Sequence, residues 1–422
     1  MPERRVFILV IDAWGVGALP DAPDYGDSLS ANTMGSIDAA VPGLNLPTLQ
    51  RLGLGNLLPL TQIPPEKIPL ASTGKMAEQS KGKDTTTGHW EMAGITLTTP
   101  FPTYPDGFPD DVITAFKAAT GVKGVLGNCP ASGTEIIQRL GEEHLKTGHP
   151  IVYTSADSVF QIAAHVGPES QIDLGTLYHW CETARNLLTD QHEVSRVIAR
   201  PFEGQNAETF TRISKSRRDY AVLPPEKTAL NRIEEAGGIV VSVGKIEDIF
   251  CFSGITHSSH TGSNADGIVV MNQLASKTLP LDSISLSKKP LDAFPLSDKQ
   301  LIFVNLVETD SHYGHRRDAE GYARALEAID AGLAELLTYL TADDLLMISA
   351  DHGCDPTAPG SDHTREYVPI LMYNNQLPGS DLGIRASFAD IGKTTLDWLN
   401  LDDEGQSGIS MLTGQKQIAP VK

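Results

Sequence analysis

Five short apolar runs each stop at, or just before, a polar or ionisable residue, and this recurrence constrains the fold more than any other feature of the chain. Residues 6–11 run into Asp12, 151–153 lead to Asp157, 239–243 are followed by Gly244 and Lys245, 301–307 lead to Asp310, and 345–350 run into Asp351. Continuous apolar runs of this length read as strands buried on both faces. Between the last two runs, Leu326, Ile329, Leu333, Leu336 and Leu340 recur at spacings of three or four, the stripe of an amphipathic helix. Strand, helix, strand in this order predicts an α/β fold, with a mostly parallel sheet flanked by helices. In such sheets ligands bind beyond the carboxyl ends of the strands, so Asp12, Asp310 and Asp351 are expected on one rim.

At roughly 150 residues per domain, 422 residues predict two or three domains. Prolines cluster at 99–109 and 223–225, which places linkers there. The expected division is a core from residues 1–99 and 225–422, with a smaller α/β cap inserted at 100–224. The net charge is −20, which disfavours nucleic acid and anionic membrane surfaces as partners. An anionic substrate then needs a local cationic or metal-lined site. Residues 195–218 offer one: Arg196, Arg200, Arg212, Lys215, Arg217 and Arg218 stand against Glu203 and Glu208. Taken singly, any of these arginines also fits a solvated surface.

The run 6–11 is too short for a signal peptide, and no stretch of about 20 apolar residues is present, so a cytoplasmic protein without membrane contact is expected. Cys129, Cys181, Cys251 and Cys354 lie far apart, which speaks against a disulfide framework and a cysteine-rich zinc site. Cys354 receives no role. His257 and His260, three apart and without a strand-end carboxylate, read as part of a polar loop.

The residues that carry chemistry are Asp12, the segment 84–89 (Asp-Thr-Thr-Thr-Gly-His), Asp310 with His315, Asp351 with His352, and His363. A strand-end aspartate is usually a cap and a lone histidine usually core packing. Three of each in this arrangement instead suit two divalent cations about 4 Å apart, Mn²⁺, Mg²⁺ or Zn²⁺. Beside such a site Thr85 becomes a candidate metal-activated nucleophile. Away from it, Asp84 and its threonines would read simply as a helix cap. Spacing leaves Thr85, Thr86 and Thr87 equivalent.

Asp12 after a strand, Asp-Thr-x-Thr-Gly-His-Trp-Glu at 84–91, Glu-Thr-Asp-x-x-Tyr-Gly-His ending at His315, Ala-Asp-His-Gly at 350–353 and Asp-His-Thr-Arg-Glu at 362–366 closely resemble the phosphopentomutase family of the alkaline phosphatase superfamily. The resemblance implies an alkaline-phosphatase-like core with a cap. It also implies interconversion of ribose 1-phosphate and ribose 5-phosphate, or the 2-deoxy analogues, through a phosphothreonine enzyme and a bisphosphate intermediate. Two Mn²⁺ ions and priming by a sugar bisphosphate such as glucose 1,6-bisphosphate are implied with it, and a small pentose phosphate is the expected partner. Asp310, His315 and His363 match the ligands of one metal. Asp12, Asp351 and His352 match those of the other, and the pattern selects Thr85 as nucleophile. Arg200 and Arg217 match phosphate-binding positions, Asp157 a sugar-binding position, and Lys245 a place on the core facing the cap. The alternatives are a cofactor-independent phosphoglycerate mutase or another metal-dependent phosphatase of the same superfamily.

Overall fold

The computed structural model describes residues 3–155, 158–170, 172–280, 285–286, 297–360 and 362–412. They divide into two compact units, one built from residues 1–99 and 224–422 and the other from 100–223.

The first unit is organised by its first strand. Arg4–Ile11 is buried from Arg5 onward and pairs in parallel with Lys299–Leu306 on one side and Asp344–Ser349 on the other. Arg5 enters this interior because its guanidinium is held by both oxygens of Asp344, at 2.6 and 2.8 Å. Beyond Lys299–Leu306 the sheet continues in parallel through Ile239–Val243 and His257–Ser259, then ends on the antiparallel Ser285–Leu286. On the other side come the antiparallel Val368–Tyr373, then Ser72–Met76 and Asp381–Arg385, which run parallel to each other. Among the described residues nine strands therefore make a mostly parallel sheet with the hydrophobic interior expected for one covered by helices.

Ala319–Tyr339 is the longest helix and buries Tyr322, Leu326, Ile329, Leu333 and Leu336; Leu340 lies just past its end and is also buried. Asp330 on this helix accepts the Thr48 and Leu49 backbone N–H groups at 3.0 and 2.7 Å, capping the neighbouring helix Pro47–Leu52. A second helical group joins Ala389–Trp398 to Thr85–Met92 and Ala229–Glu235. Among the described residues no helix is long and apolar enough to cross a membrane.

The loop reading of 257–260 is corrected. His257–Ser259 is a buried strand, because its backbone pairs with Val241–Val243 and that pairing outweighs its polar side chains. The His257 ring is satisfied locally by the Thr256 hydroxyl at 2.7 Å.

In the second unit a sheet runs Leu126–Pro130, Ile151–Thr154, Val159–His165, Arg196–Glu203, Thr211–Arg212, with Arg218–Ala221 also paired to Arg196–Glu203. Alternating side chains feed two clusters. One contains Phe116, Phe160, Trp180 and Val197, and the other contains Ile136, Ile151, Tyr153, Phe202 and Phe210. The run 151–153 thus belongs to this sheet, and Asp157 lies outside the described residues.

Candidate active site

Three adjacent parallel strands end together, and each delivers an aspartate. Asp12 follows Arg4–Ile11 and extends its pairing by one step, its N–H donating to the Leu306 carbonyl at 3.2 Å. The next residue, Ala13, adopts φ 66°, a left-handed turn uncommon for a residue with a β-carbon, and its N–H donates to Asp351 Oδ1 at 3.0 Å. Asp351 follows Asp344–Ser349, and Asp310 lies in the π-helical turn Thr309–Gly314 after Lys299–Leu306. His363 arrives on the loop before Val368–Tyr373, tied to the His352 loop by a bridge between Gly353 and Thr364.

These six residues converge. His352 Nε2 lies 3.5 Å from Asp12 Oδ1 and 3.3 Å from Asp351 Oδ2. His315 Nε2 and His363 Nε2 each lie 3.4 Å from Asp310 Oδ1 and 3.1 Å from each other. The His352 and His363 rings stand 3.9 Å apart between centroids, which joins the two groups.

Thr85 opens the helix Thr85–Met92, capped by Asp84, which accepts the N–H groups of Thr86 and Thr87. The threonines are no longer equivalent. The Thr87 hydroxyl donates to Asp84 Oδ2 at 2.6 Å, and Thr86 is buried. The Thr85 hydroxyl lies 3.2 Å from His352 Nε2. Gly88 sets this approach, since a β-carbon there would collide with the Asp351 carbonyl.

The electrostatics call for a cation. Burial, then the charges of Asp351 and Asp310, raise the Asp12 carboxyl well above the usual range. Burial would do the same to Asp310 and Asp351, but His363 and His315 hold Asp310 far down, and His352 with His89 holds Asp351 at about 2. Burial lowers His352. Among the described residues Asp12 Oδ1, Asp310 Oδ1 and Asp351 Oδ2 are buried without a hydrogen-bond partner, and all three border the imidazoles. Orphaned carboxylate oxygens beside histidines form a donor set that fits Mn²⁺, Zn²⁺ or Mg²⁺.

Lys245, exposed after the end of Ile239–Val243, is near enough to favour the charged form of Asp12. In the second unit, Arg200 donates from Nε to Gln161 at 3.0 Å. Burial, then the neighbouring Arg217, lowers its pKa to about 10. Arg217 is forked onto Asp219 at 2.7 and 2.6 Å. Arg196 approaches the same carboxylate at 3.6 Å. Asp219 lies one residue past the basic segment counted from the sequence, so part of that charge is neutralised within the unit.

Two residues without a sequence-derived role stand at the centre. Asn305, buried, donates to Asp12 Oδ2 at 2.9 Å. Its signal was an amide inside an otherwise apolar strand. His89 places Nδ1 2.8 Å from the Thr85 carbonyl and 3.3 Å from Asp351 Oδ2, linking the threonine's helix to a strand-end carboxylate.

Comparison with known proteins agrees with this arrangement. A family described as the metalloenzyme superfamily matches residues 4–403. A phosphopentomutase of Symbiobacterium thermophilum is 51% identical over 403 residues, covering 95% of this chain and 96% of its own. The chain belongs to the phosphopentomutase family. A second relative of that name, from Caldanaerobacter subterraneus subsp. tengcongensis, is 50% identical over 94% of this chain and 95% of its own length. Among solved structures, a phosphoglycerate mutase of Leishmania mexicana overlies 97% of both chains at 13% identity and a TM-score of 0.49, too distant to bear on function. Family membership makes the chain an enzyme, a phosphotransferase mutase of the isomerase class that uses divalent metal.

Proposed function

We propose that the chain interconverts ribose 1-phosphate and ribose 5-phosphate, and the 2-deoxy analogues, through phosphorylated Thr85. One observation carries the reading: the Thr85 hydroxyl lies 3.2 Å from His352, inside a cluster of orphaned carboxylate oxygens. In this reading Asp310, His315 and His363 hold one Mn²⁺, and Asp12, Asp351 and His352 hold the other; Mg²⁺ and Zn²⁺ suit the same donors. Bound cations neutralise phosphoryl oxygens and stabilise the threonine oxygen as an anion.

Phospho-Thr85 gives its phosphoryl group to the free hydroxyl of a bound pentose monophosphate. The bond from phosphorus to Thr85 Oγ breaks as the bond to the sugar oxygen forms, and the sugar hydroxyl proton leaves. The bisphosphate then returns its other phosphoryl group to Thr85 Oγ, a proton returns to the freed sugar oxygen, and the isomer departs. Asp84 keeps the Thr87 hydroxyl occupied, so it does not compete. Arg200 and Arg217 grip phosphate, Asp157 the sugar, and Lys245 adds positive charge at the rim. The inserted domain, 100–224, serves as a substrate-gripping cap. A sugar bisphosphate such as glucose 1,6-bisphosphate primes the threonine. The four cysteines, none in a disulfide, suit a cytoplasmic setting.

The test is purified protein with Mn²⁺ and ribose 1-phosphate, with and without a trace of glucose 1,6-bisphosphate. Ribose 5-phosphate should form, faster with the bisphosphate. Thr85→Ala should abolish turnover and, by intact mass, accept no phosphate where wild type accepts one. Inorganic phosphate without isomer would make the protein a phosphatase, and a phosphorylated Thr85→Ala protein would move the nucleophile to Thr86 or Thr87.

A further inference from the structure

Cys354 borders the metal cluster, yet the proposed reaction leaves it idle. Its side chain is buried, and its sulfur, an Asp310 carboxylate oxygen and a His315 ring nitrogen all lie within 4.8 Å of one another. The fold holds the sulfur there. The Cys354 N–H lies 3.2 Å from the Ala13 carbonyl and 3.1 Å from the Thr33 hydroxyl, which it meets as donor. Gly314 closes the turn that carries Asp310 and leads into His315, and a β-carbon at that position would stand 2.9 Å from the sulfur. A glycine at the end of this turn therefore lets the thiol lie directly against it. Asp310 Oδ1, buried and among the described residues without a hydrogen-bond partner, belongs to the same cluster. Among the described residues the thiol's hydrogen-bond contact is a long one, to the Asp362 carbonyl at 3.7 Å.

We propose that Cys354 is a reserve sulfur ligand of the position formed by Asp310, His315 and His363, giving it a selective affinity for thiophilic divalent cations such as Zn²⁺ and Cd²⁺. One carboxylate oxygen, two imidazole nitrogens and one thiolate make a four-coordinate set suited to borderline and soft d¹⁰ ions. Mn²⁺ and Mg²⁺ favour oxygen and nitrogen and leave the sulfur protonated. When a thiophilic ion enters, the metal–sulfur bond forms and the thiol proton passes to solvent. Among the described residues the donor group of Asp12, Asp351 and His352 holds no sulfur, so the exchange is assigned to the position of Asp310, His315 and His363. A thiophilic ion is thereby expected to displace the harder one there and to act as a site-specific inhibitor.

The inference rests on the metal positions proposed above, and the experiment separates the two. Cd²⁺ is titrated into the Mn²⁺-loaded full-length protein, following bound metals by mass analysis and the ultraviolet charge-transfer absorption of a cadmium–thiolate bond. Wild type should develop the band with one Cd²⁺ per chain, and so should Cys129→Ser/Cys251→Ser, which removes the two partly exposed thiols. Cys354→Ser, and Cys354→Ala should the serine fail to fold, should lack the band and need about tenfold or more Cd²⁺ to displace Mn²⁺. A band that persists in both Cys354 variants, or Cd²⁺ uptake by wild type without a band, overturns the inference. Failure of wild type to hold any divalent metal would instead overturn the metal positions.

Discussion

Replacing Arg365 by methionine should be among the most damaging single changes in the first unit, although Arg365 touches neither Thr85 nor a proposed metal ligand's donor atom. It is 2% exposed, and its guanidinium stacks 4.6 Å over Tyr25. It donates to Glu78 Oε2 at 2.6 Å, to the carbonyls of Glu78, Ser80 and Gly82 at 2.8, 3.0 and 2.6 Å, and to the more exposed Asp21 at 3.1 and 3.3 Å. Methionine keeps the stem and removes the donors. Breaking a buried ion pair costs about 3–5 kcal/mol, because the surviving charge is left without a partner. Each carbonyl that finds no water adds about 1 kcal/mol or more. Asp21 adds little, being screened by solvent. The expected loss is therefore about 4–6 kcal/mol. Burial already raises the Glu78 carboxyl well above the usual range despite Arg365, so neutralising it in Glu78→Gln/Arg365→Met should return about 2 kcal/mol. Urea unfolding at neutral pH, followed by the fluorescence of buried Trp14 and Trp90, reads both values. A loss below about 1 kcal/mol in Arg365→Met, or a double variant no more stable than the single one, would refute the argument. Because the segment 78–82 leads into Thr85, turnover should fall as well.

Asp351→Asn or His315→Ala should leave fewer than two metals per chain by mass analysis, with turnover lost in proportion; full occupancy would show that the ligand set is wrong. Arg200→Ala removes a charge-assisted contact of about 1.5–3 kcal/mol, a loss of roughly 10- to 150-fold in kcat/KM on ribose 5-phosphate, and Arg200→Lys should recover only part of it. Unchanged kinetics would reduce that arginine to structural charge. The second unit should lose stability in mild acid through His144, whose Nε2 accepts the His165 N–H at 2.9 Å while Nδ1 meets the His149 carbonyl at 2.7 Å. Burial lowers its pKa, so below about 6.5 the unfolded chain binds the proton first. Stability is then fully present above that pH and falls as pH drops toward the depressed native value. Melting followed at Trp180 should show this slope in wild type and a shallower one in His144→Gln.

The strand-end aspartates were legible because a buried parallel strand advertises itself as an apolar run, and a carboxylate at its end interrupts that run. Ser72–Met76 was not legible, since Ser-Thr-Gly-Lys-Met is buried by Val368–Tyr373 and Asp381–Arg385 and not by its own hydrophobicity. His257–Ser259 was missed for the same reason. In the site, the residue types and their motifs stood out, but which threonine faces the imidazoles depends on helix phase and on Asp84 occupying Thr87. Asn305 and His89 act through distances that no linear spacing encodes. The basic segment was visible, whereas its partial neutralisation comes from the Arg217 fork onto Asp219, a contact that a charge count over the segment does not contain.

The position of Arg4–Ile11 in the middle of its sheet has a consequence for biosynthesis. This strand leaves the ribosome well before both of its lateral partners, Lys299–Leu306 and Asp344–Ser349. Until then an apolar ribbon with two open edges must wait, which is the circumstance that favours chaperone binding or misassociation. The strands of the second unit all lie between residues 126 and 221 and pair among themselves, so that unit can close early. Its early collapse replaces a long slack loop with a compact body and lowers the entropy cost of joining the distant strands. The aspartate rim is thus assembled late: Asp12 waits for Asp351 and His363, and a nascent chain that stops short of them cannot close the site.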